Sequence, residues 1–208
     1  MDDALWITWE NQRRNRELSR ALGIRLYEWK ELDDIRNPVR KYPLGLARTA
    51  LLLYRERPSL VFCQNPSLIL SAFLVSAKRL LGIRVFVDAH NAGLFPAEGR
   101  SRPLASLSRF VQKHADLTIV TNQGMSGHVR NNGGKPFILP DRIPDLPGEK
   151  PDILSGRANL LFICSYAKDE PYELVFEAAR GLEKDVCIHV TGNYRKKASS
   201  VTFLRPAK

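Results

Sequence analysis

Short apolar runs recur along this chain, and several stop abruptly in polar side chains. Ala4-Leu5-Trp6-Ile7-Thr8-Trp9 closes on Glu10-Asn11, Ser59-Leu60-Val61-Phe62-Cys63 on Gln64-Asn65, Arg84-Val85-Phe86-Val87 on Asp88-Ala89-His90-Asn91, and Leu117-Thr118-Ile119-Val120 on Thr121-Asn122. Continuous apolar runs of this length predict buried parallel strands that deliver polar groups at their carboxyl ends. Further strands are predicted over Ile24–Trp29 and Phe137–Leu139. Between them the period lengthens to that of helices: one through Leu18 and Leu22 stopped by Gly23, one over Leu44–Arg57, one over Ser67–Leu81 stopped by Gly82, one over Pro103–His114 with Leu104, Leu107, Phe110 and Val111 as its core stripe, and a short one over Gly124–Arg130. Leu32–Lys41, charged and holding Pro38, and Ala92–Ser101, with two glycines and a proline, predict loops, the second lying over the strand ends.

Strands alternating with helices at this spacing predict βαβ units in a parallel sheet, an α/β fold of Rossmann type. From Pro140 to Arg157 prolines and glycines interrupt a polar stretch, and the pattern then restarts: a strand at Asn159–Cys164, a helix at Glu170–Leu182, a strand at Val186–Val190 and a further one at Ser200–Leu204. The expected organisation is therefore a first domain over 1–140, a linker over 141–157, and the opening of a second Rossmann-like domain over 158–208.

Composition narrows the function. Hydrophobic residues make up 44% and charged residues 26%, so the chain is globular rather than disordered. The net charge of +10 is lopsided: residues 1–140 hold 21 Lys and Arg against 12 Asp and Glu, leaving only +1 for the rest. Such a bias favours a partner rich in negative charge, and nucleic acid, an anionic membrane surface or a phosphate-bearing substrate all satisfy it, as does a merely solvated basic face. Nucleic acid is disfavoured because the cations are scattered over several helices without an aromatic-plus-basic module. No apolar run is long enough to span a bilayer, and Met1-Asp2-Asp3 carries acid where a secretion signal carries base, so a cytoplasmic location is expected, with a peripheral position on the inner membrane face as its extension. Cys63, Cys164 and Cys187 sit singly in apolar runs, the placement of buried free thiols, and no metal-ligand cluster is visible.

In open α/β sheets ligands bind in the crevice outside the strand ends. Asp88, His90 and Asn91 are read as one wall of such a site. The alternative is that Asp88 caps the following turn and His90 is a satisfied, half-buried side chain.

Taken in order along the chain, Val87-Asp88-Ala89-His90-Asn91, Val120-Thr121-Asn122, the run Leu161 to Pro171, and Ile188-His189-Val190-Thr191-Gly192-Asn193 resemble the GT-B fold glycosyltransferases, in particular the retaining group known as glycosyltransferase family 4. The resemblance implies an acceptor-side domain followed by the start of a nucleotide-sugar-binding domain. It implies transfer of a sugar from a nucleotide-sugar to a saccharide or lipid-linked acceptor, without a tightly bound cofactor or metal. By position, Glu10, Asn11, Arg13 and Arg14 match the family's first loop, and His90 matches a histidine that contacts the transferred sugar or assists the reacting hydroxyl, a poor nucleophile without help. Asp88, Asn91 and Asn122 join the substrate-binding set. Charge developing on the leaving diphosphate needs a fixed cation or backbone N–H, for which Lys168 is the candidate, with Thr191, Gly192 and Asn193 nearby. The family's glycine-rich first loop is replaced here by Glu10-Asn11-Gln12-Arg13-Arg14, and its paired glutamates have no counterpart between Asp169 and Lys208. A chain with half a donor site is also compatible with a non-catalytic acceptor-binding or scaffold subunit.

Overall fold

The computed structural model describes residues 3–35, 37–65, 67–141, 156–166, 170–182 and 185–192. Its contacts divide the chain into two compact units, Met1–Pro144 and Asp145–Lys208, each with its own sheet. The first runs β1 (Ala4–Thr8), α1 (Arg13–Ala21), β2 (Arg25–Glu28), α2 (Lys30–Asp33), α3 (Pro38–Glu56), β3 (Leu60–Asn65), α4 (Leu68–Leu81), β4 (Arg84–Ala89), α5 (Asn91–Leu94), a 3-10 turn at Pro96–Gly99, α6 (Arg102–His114), β5 (Leu117–Val120), α7 (Gln123–Asn131) and β6 (Pro136–Ile138). All six strands are parallel, in the order β2-β1-β3-β4-β5-β6. From β1 the chain steps outward to β2, then returns past β1 to β3. The strand order therefore reverses between β1 and β3, and the carboxyl ends there open the crevice in which ligands of such sheets bind.

Side chains alternate across the sheet, which sorts the core into two faces. Leu5, Ile7, Val61, Cys63, Val85 and Val87 point one way and meet Leu52 and Leu53 of α3, Leu70 and Leu74 of α4, and Val111 of α6. Ala4, Trp6, Phe62 and Ile119 point the other way, with Leu18 of α1 and Leu22 just after it packed on them. On that second face Trp6 stacks on Phe62 at 5.1 Å and Phe62 meets Phe86 edge-on at 5.2 Å. Burying each such aliphatic or aromatic side chain stabilises the fold by ~1.5–3 kcal/mol.

Three expectations are corrected by the structure. The stretch read as a loop over Leu32–Lys41 is largely helical. The side chain of Asn37 accepts the N–H of Val39 at 2.9 Å, and Pro38 takes the first helical position, where its missing N–H costs nothing, so α3 starts well before Leu44. The loop expected over Ala92–Ser101 contains α5 and the 3-10 turn. On α6 the buried face is Ser108, Val111 and Gln112, whereas Leu104 and Phe110 are exposed at 40% and 38%. The helix is turned this way because Ser108 Oγ donates to the Gly93 carbonyl at 2.6 Å and Gln112 Nε2 donates back to Ser108 at 2.9 Å. Buried without these bonds, each polar group would cost ~1–3 kcal/mol.

The second unit contributes a parallel pair, β7 (Ala158–Phe162) and β8 (Val186–Val190), with α8 (Tyr172–Ala179) between them. Cys164, Tyr166 and Tyr172 form its small core. The strand expected at Ser200–Leu204 lies outside the described residues. Cys63 and Cys164 are buried and Cys187 is half-buried, and burial pushes the Cys63 thiol up to about 12.

Candidate functional site at the carboxyl ends of β1, β3 and β4

Three strand ends meet at the reversal point, and each brings a polar side chain. Register places Gln64 of β3 beside Asp88 of β4, and Thr8 of β1 hydrogen-bonds to Gln64 Oε1 at 3.3 Å. His90, one residue past β4, brings its Nε2 to 3.1 Å from Gln64 Nε2 and 3.4 Å from Asp88 Oδ2. Its backbone N–H donates to the Asn65 carbonyl at 3.1 Å, and its own carbonyl accepts the N–H groups of Gly93 and Leu94 at 3.0 Å, so the backbone on both sides of the ring is anchored. Gln64 and Asp88 are each 1% exposed, while His90 is 28% exposed. The imidazole is thus the accessible tip of an otherwise buried polar cluster.

Arg14 closes the cluster from the α1 side. Its Nε donates to Asp88 Oδ1 and Oδ2 at 3.1 and 3.0 Å and its Nη2 to Oδ1 at 3.0 Å, a forked pairing suited to the planar guanidinium. Nη2 also donates to the Leu139 carbonyl at 3.0 Å and Nη1 to Asp141 at 2.6 Å. Burial alone would lower the Arg14 pKa, but the bonds to Asp88 and Asp141 outweigh it and raise it further above its ordinary value. One side chain thereby ties α1 to β4 and to the end of β6. Arg14 cannot be removed cheaply, since the buried Asp88 carboxylate left without its cation costs ~3–5 kcal/mol.

Of the first-loop candidates, Glu10 reaches this cluster and Asn11 and Arg13 do not. Glu10 accepts from Gln12 Nε2 at 3.3 Å, and Gln12 Oε1 in turn accepts from Gln64. Burial, reinforced by the nearby negative charge of Asp33, pushes the Glu10 carboxyl above its ordinary range. Arg13 is exposed and pairs with Glu17 four residues on, and Asn11 faces Arg16 and Asp33. Asp88 does not cap the turn after β4: its carboxylate is taken by Arg14. Asn91 is exposed at the start of α5, and Asn122 is the N-cap of α7, accepting the Met125 N–H at 3.0 Å.

In the second unit Thr191 Oγ1 accepts the Cys164 N–H at 2.9 Å and donates to the Cys164 carbonyl at 3.2 Å, stapling the end of β8 to the loop after β7. Gly192, at φ +90°, passes so close that a Cβ there would meet Cys164 O at 2.2 Å. Lys168 and Asn193 lie outside the described residues.

Four members of the first-unit cluster are not among the candidates read from the sequence: Trp6, Thr8, Asn15 and Gln64. For Gln64 a signal existed, the same switch from apolar run to polar pair that singled out Asp88. Asn15 had none, sitting on a helix full of polar residues. Asn65, fully buried beside them, has neither side-chain atom hydrogen-bonded, and its amide packs against Gly93, where a Cβ would come within 2.5 Å of Oδ1.

A parallel, doubly wound α/β sheet with polar strand ends gathered at its reversal point is a Rossmann-like fold. Comparison with known proteins refines this. The glycosyl transferase 4-like domain matches residues 3–137, and the chain belongs to that family. Among solved structures, the apo form of the lipopolysaccharide outer core galactosyltransferase WaaB superposes with a TM-score of 0.59 at 11% identity, over 95% of this chain and 63% of that one. Alr3699/HepE of Anabaena in complex with UDP gives a TM-score of 0.59 at 8% identity, over 90% of this chain and 60% of that one. These likenesses establish the GT-B type of fold, and the chain spans less than two thirds of either structure's length. No curated protein matches by sequence.

Proposed function

We propose that this chain serves the transfer of a sugar from a nucleotide-sugar donor to a saccharide or lipid-linked acceptor, with the crevice at β1, β3 and β4 holding the reacting sugar. The observation that carries the reading is His90: a half-buried imidazole at the reversal point of a glycosyl transferase 4-like domain, held on a buried polar cluster. Arg14 and Asp88, each occupied by the other, act by positioning that wall rather than by touching substrate. Glu10, whose carboxyl lies within electrostatic reach of His90, is the remaining polar group next to it, suited to a sugar hydroxyl. The UDP bound to HepE and the galactosyl transfer named for WaaB support a nucleotide-sugar donor, here a substrate and not a tightly held cofactor.

Lys168, Thr191, Gly192 and Asn193 are proposed to face the donor diphosphate from the second unit, which serves as the nucleotide side, while residues 1–140 serve the acceptor and 141–157 join the two. No helix among the described residues is long and apolar enough to cross a membrane. The basic first 140 residues suit work on the inner, anionic membrane face, and equal sedimentation with neutral and acidic vesicles would remove that part.

The test is equilibrium binding of a panel of nucleoside diphosphate sugars, followed by nucleoside diphosphate release with saccharide acceptors present. Binding of one donor, with release diminished at least tenfold by His90→Ala in a chain that keeps its fold, is the expected result. Saccharide binding with no affinity for any nucleotide-sugar would replace this reading by that of a non-catalytic acceptor-binding subunit.

A further inference from the structure

Three buried side chains lead to His90 in single file, and the hydrogen-bonding capacity of each fixes the next. The indole N–H of Trp6 can only donate, so the Asn15 atom 3.1 Å from it is the amide oxygen. Asn15 therefore turns its nitrogen to Gln64 and donates to Oε1 at 2.6 Å. With its oxygen so engaged, Gln64 presents its amide nitrogen to His90 Nε2 at 3.1 Å. That nitrogen is again a donor only, so Nε2 must offer a lone pair and the proton of the neutral ring sits on Nδ1.

The competing arrangement would place the proton on Nε2, aimed at Asp88 Oδ2. That separation is 3.4 Å, beyond the ~2.7–3.2 Å of a good N–H···O bond. Asp88 is moreover already engaged by three N–H···O contacts from Arg14 at 3.0–3.1 Å. Turning over any amide in the file would strand a donor among residues that are at most 1% exposed, at ~1–3 kcal/mol for each unsatisfied group.

We propose that Trp6, Asn15 and Gln64 form a relay that sets the tautomer of His90, so that its Nδ1–H is the donor offered to a ligand oxygen while Nε2 is withheld from base catalysis. Gln64 is a positioning residue: it acts through the ring and touches no substrate. The ligand's identity as a sugar hydroxyl rests on the transferase reading; the tautomer does not. In consequence, of the two roles open to His90 in that reading, hydrogen-bonding to the sugar is the one it performs, and the reacting hydroxyl loses its proton elsewhere.

The experiment is long-range proton–nitrogen correlation NMR on the 15N-histidine-labelled chain, above the pH at which the rings titrate. The four histidines, His90, His114, His128 and His189, are distinguished by the signals lost in His90→Gln. Expected is an unprotonated Nε2 and a protonated Nδ1 for His90 in the wild type. In Gln64→Met, of similar length but without a donor, the proton moves to Nε2, where Asp88 is the remaining partner. A wild-type spectrum with Nε2–H overturns the proposal, and it decides even if Gln64→Met does not fold. Persistence of Nδ1–H in a folded Gln64→Met overturns it too. The relay found intact in a chain that binds no nucleotide-sugar would remove the transferase reading and leave this one standing.

Discussion

The same strand–helix–strand grammar is written twice in this chain and has very different consequences in the two units. In the first, β1 is buried over its whole length, and β3 and β4 over most of theirs. In the second, β7 is exposed at nearly every position, with Leu161 at 66% and Ile163 just beyond it at 77%. The central strands of the first unit have a neighbour on each edge and helices on both faces. Among the described residues β7 has β8 and the small cluster around Tyr166 and Tyr172, and a two-stranded pair alone is only marginally stable. The polar strand ends differ as well. Those of the first unit are joined by links that reach 49 residues from Asn15 to Gln64 and 127 from Arg14 to Asp141, besides the 26 between Gln64 and His90. Those of the second, at Cys164 and Thr191, join neighbouring elements over 27. A long-range buried network can only be built where a core already excludes water.

Substitutions can break this comparison, and the probes are conveniently segregated because Trp6, Trp9 and Trp29 all lie in the first unit. Tryptophan fluorescence therefore follows that unit alone, whereas far-UV circular dichroism follows both. The largest effect is expected from Arg14→Met, which leaves the Asp88 carboxylate, 1% exposed, without its guanidinium: a loss of ~3–5 kcal/mol in the tryptophan-detected denaturant transition. A loss below 1 kcal/mol would mean that the pair is not buried as described. Next come paired alanine substitutions of glycine. In Gly93→Ala the new Cβ meets the Asn65 carbonyl at 2.3 Å, backbone that cannot swing away, and overpacking of this kind costs ~1–3 kcal/mol. Gly192→Ala, strained at φ +90° and against Cys164, should alter the circular dichroism transition while leaving the tryptophan midpoint in place. A shift of that midpoint would show that the two units unfold as one.

Smaller effects depend on pH. Burial works to raise the Asp116 pKa, but bonds from Lys78 and from the Val85 N–H at 2.8 Å outweigh it and hold the pKa below its ordinary 3.8. A folded pKa below the unfolded one contributes stability above about pH 4 that is lost as pH falls through the folded value. Asp116→Asn should therefore cost roughly 0.5–1 kcal/mol near neutrality, as for a partly exposed pair, with the difference closing on acidification in urea titrations. Glu10 has the opposite sign. Its pKa is raised above 4.5, chiefly by burial, so its proton favours folding at low pH, and that contribution is lost as pH rises through the folded value. Glu10→Gln should then be slightly more stable than the wild type at neutral pH and indistinguishable from it below about pH 4. Thermal melts across that range check the sign.

The order of strands and helices in the first unit follows from local pattern, because a buried strand must be apolar throughout and a surface helix must repeat its apolar face. The strand ends at Gln64 and Asp88 were visible for the same reason: polar residues interrupt burial where the strand leaves the core. Errors arose where local cues conflicted. Pro38 suggested a loop, yet at a first helical position behind Asn37 it starts α3; Leu104 and Phe110 suggested a core stripe, yet α6 turns toward the bonds of Ser108 and Gln112.

By itself, then, the sequence determined the class of fold, the place where polar groups emerge, and His90 as one of the side chains delivered there. Only the tertiary structure decided which of those groups are spent on one another: Arg14 finds Asp88 across 74 residues, and Trp6 orients Asn15, which orients Gln64. Pairings of this kind depend on distances of about 3 Å between strands brought together by the sheet, and no periodicity in a linear chain encodes which side chains will meet there.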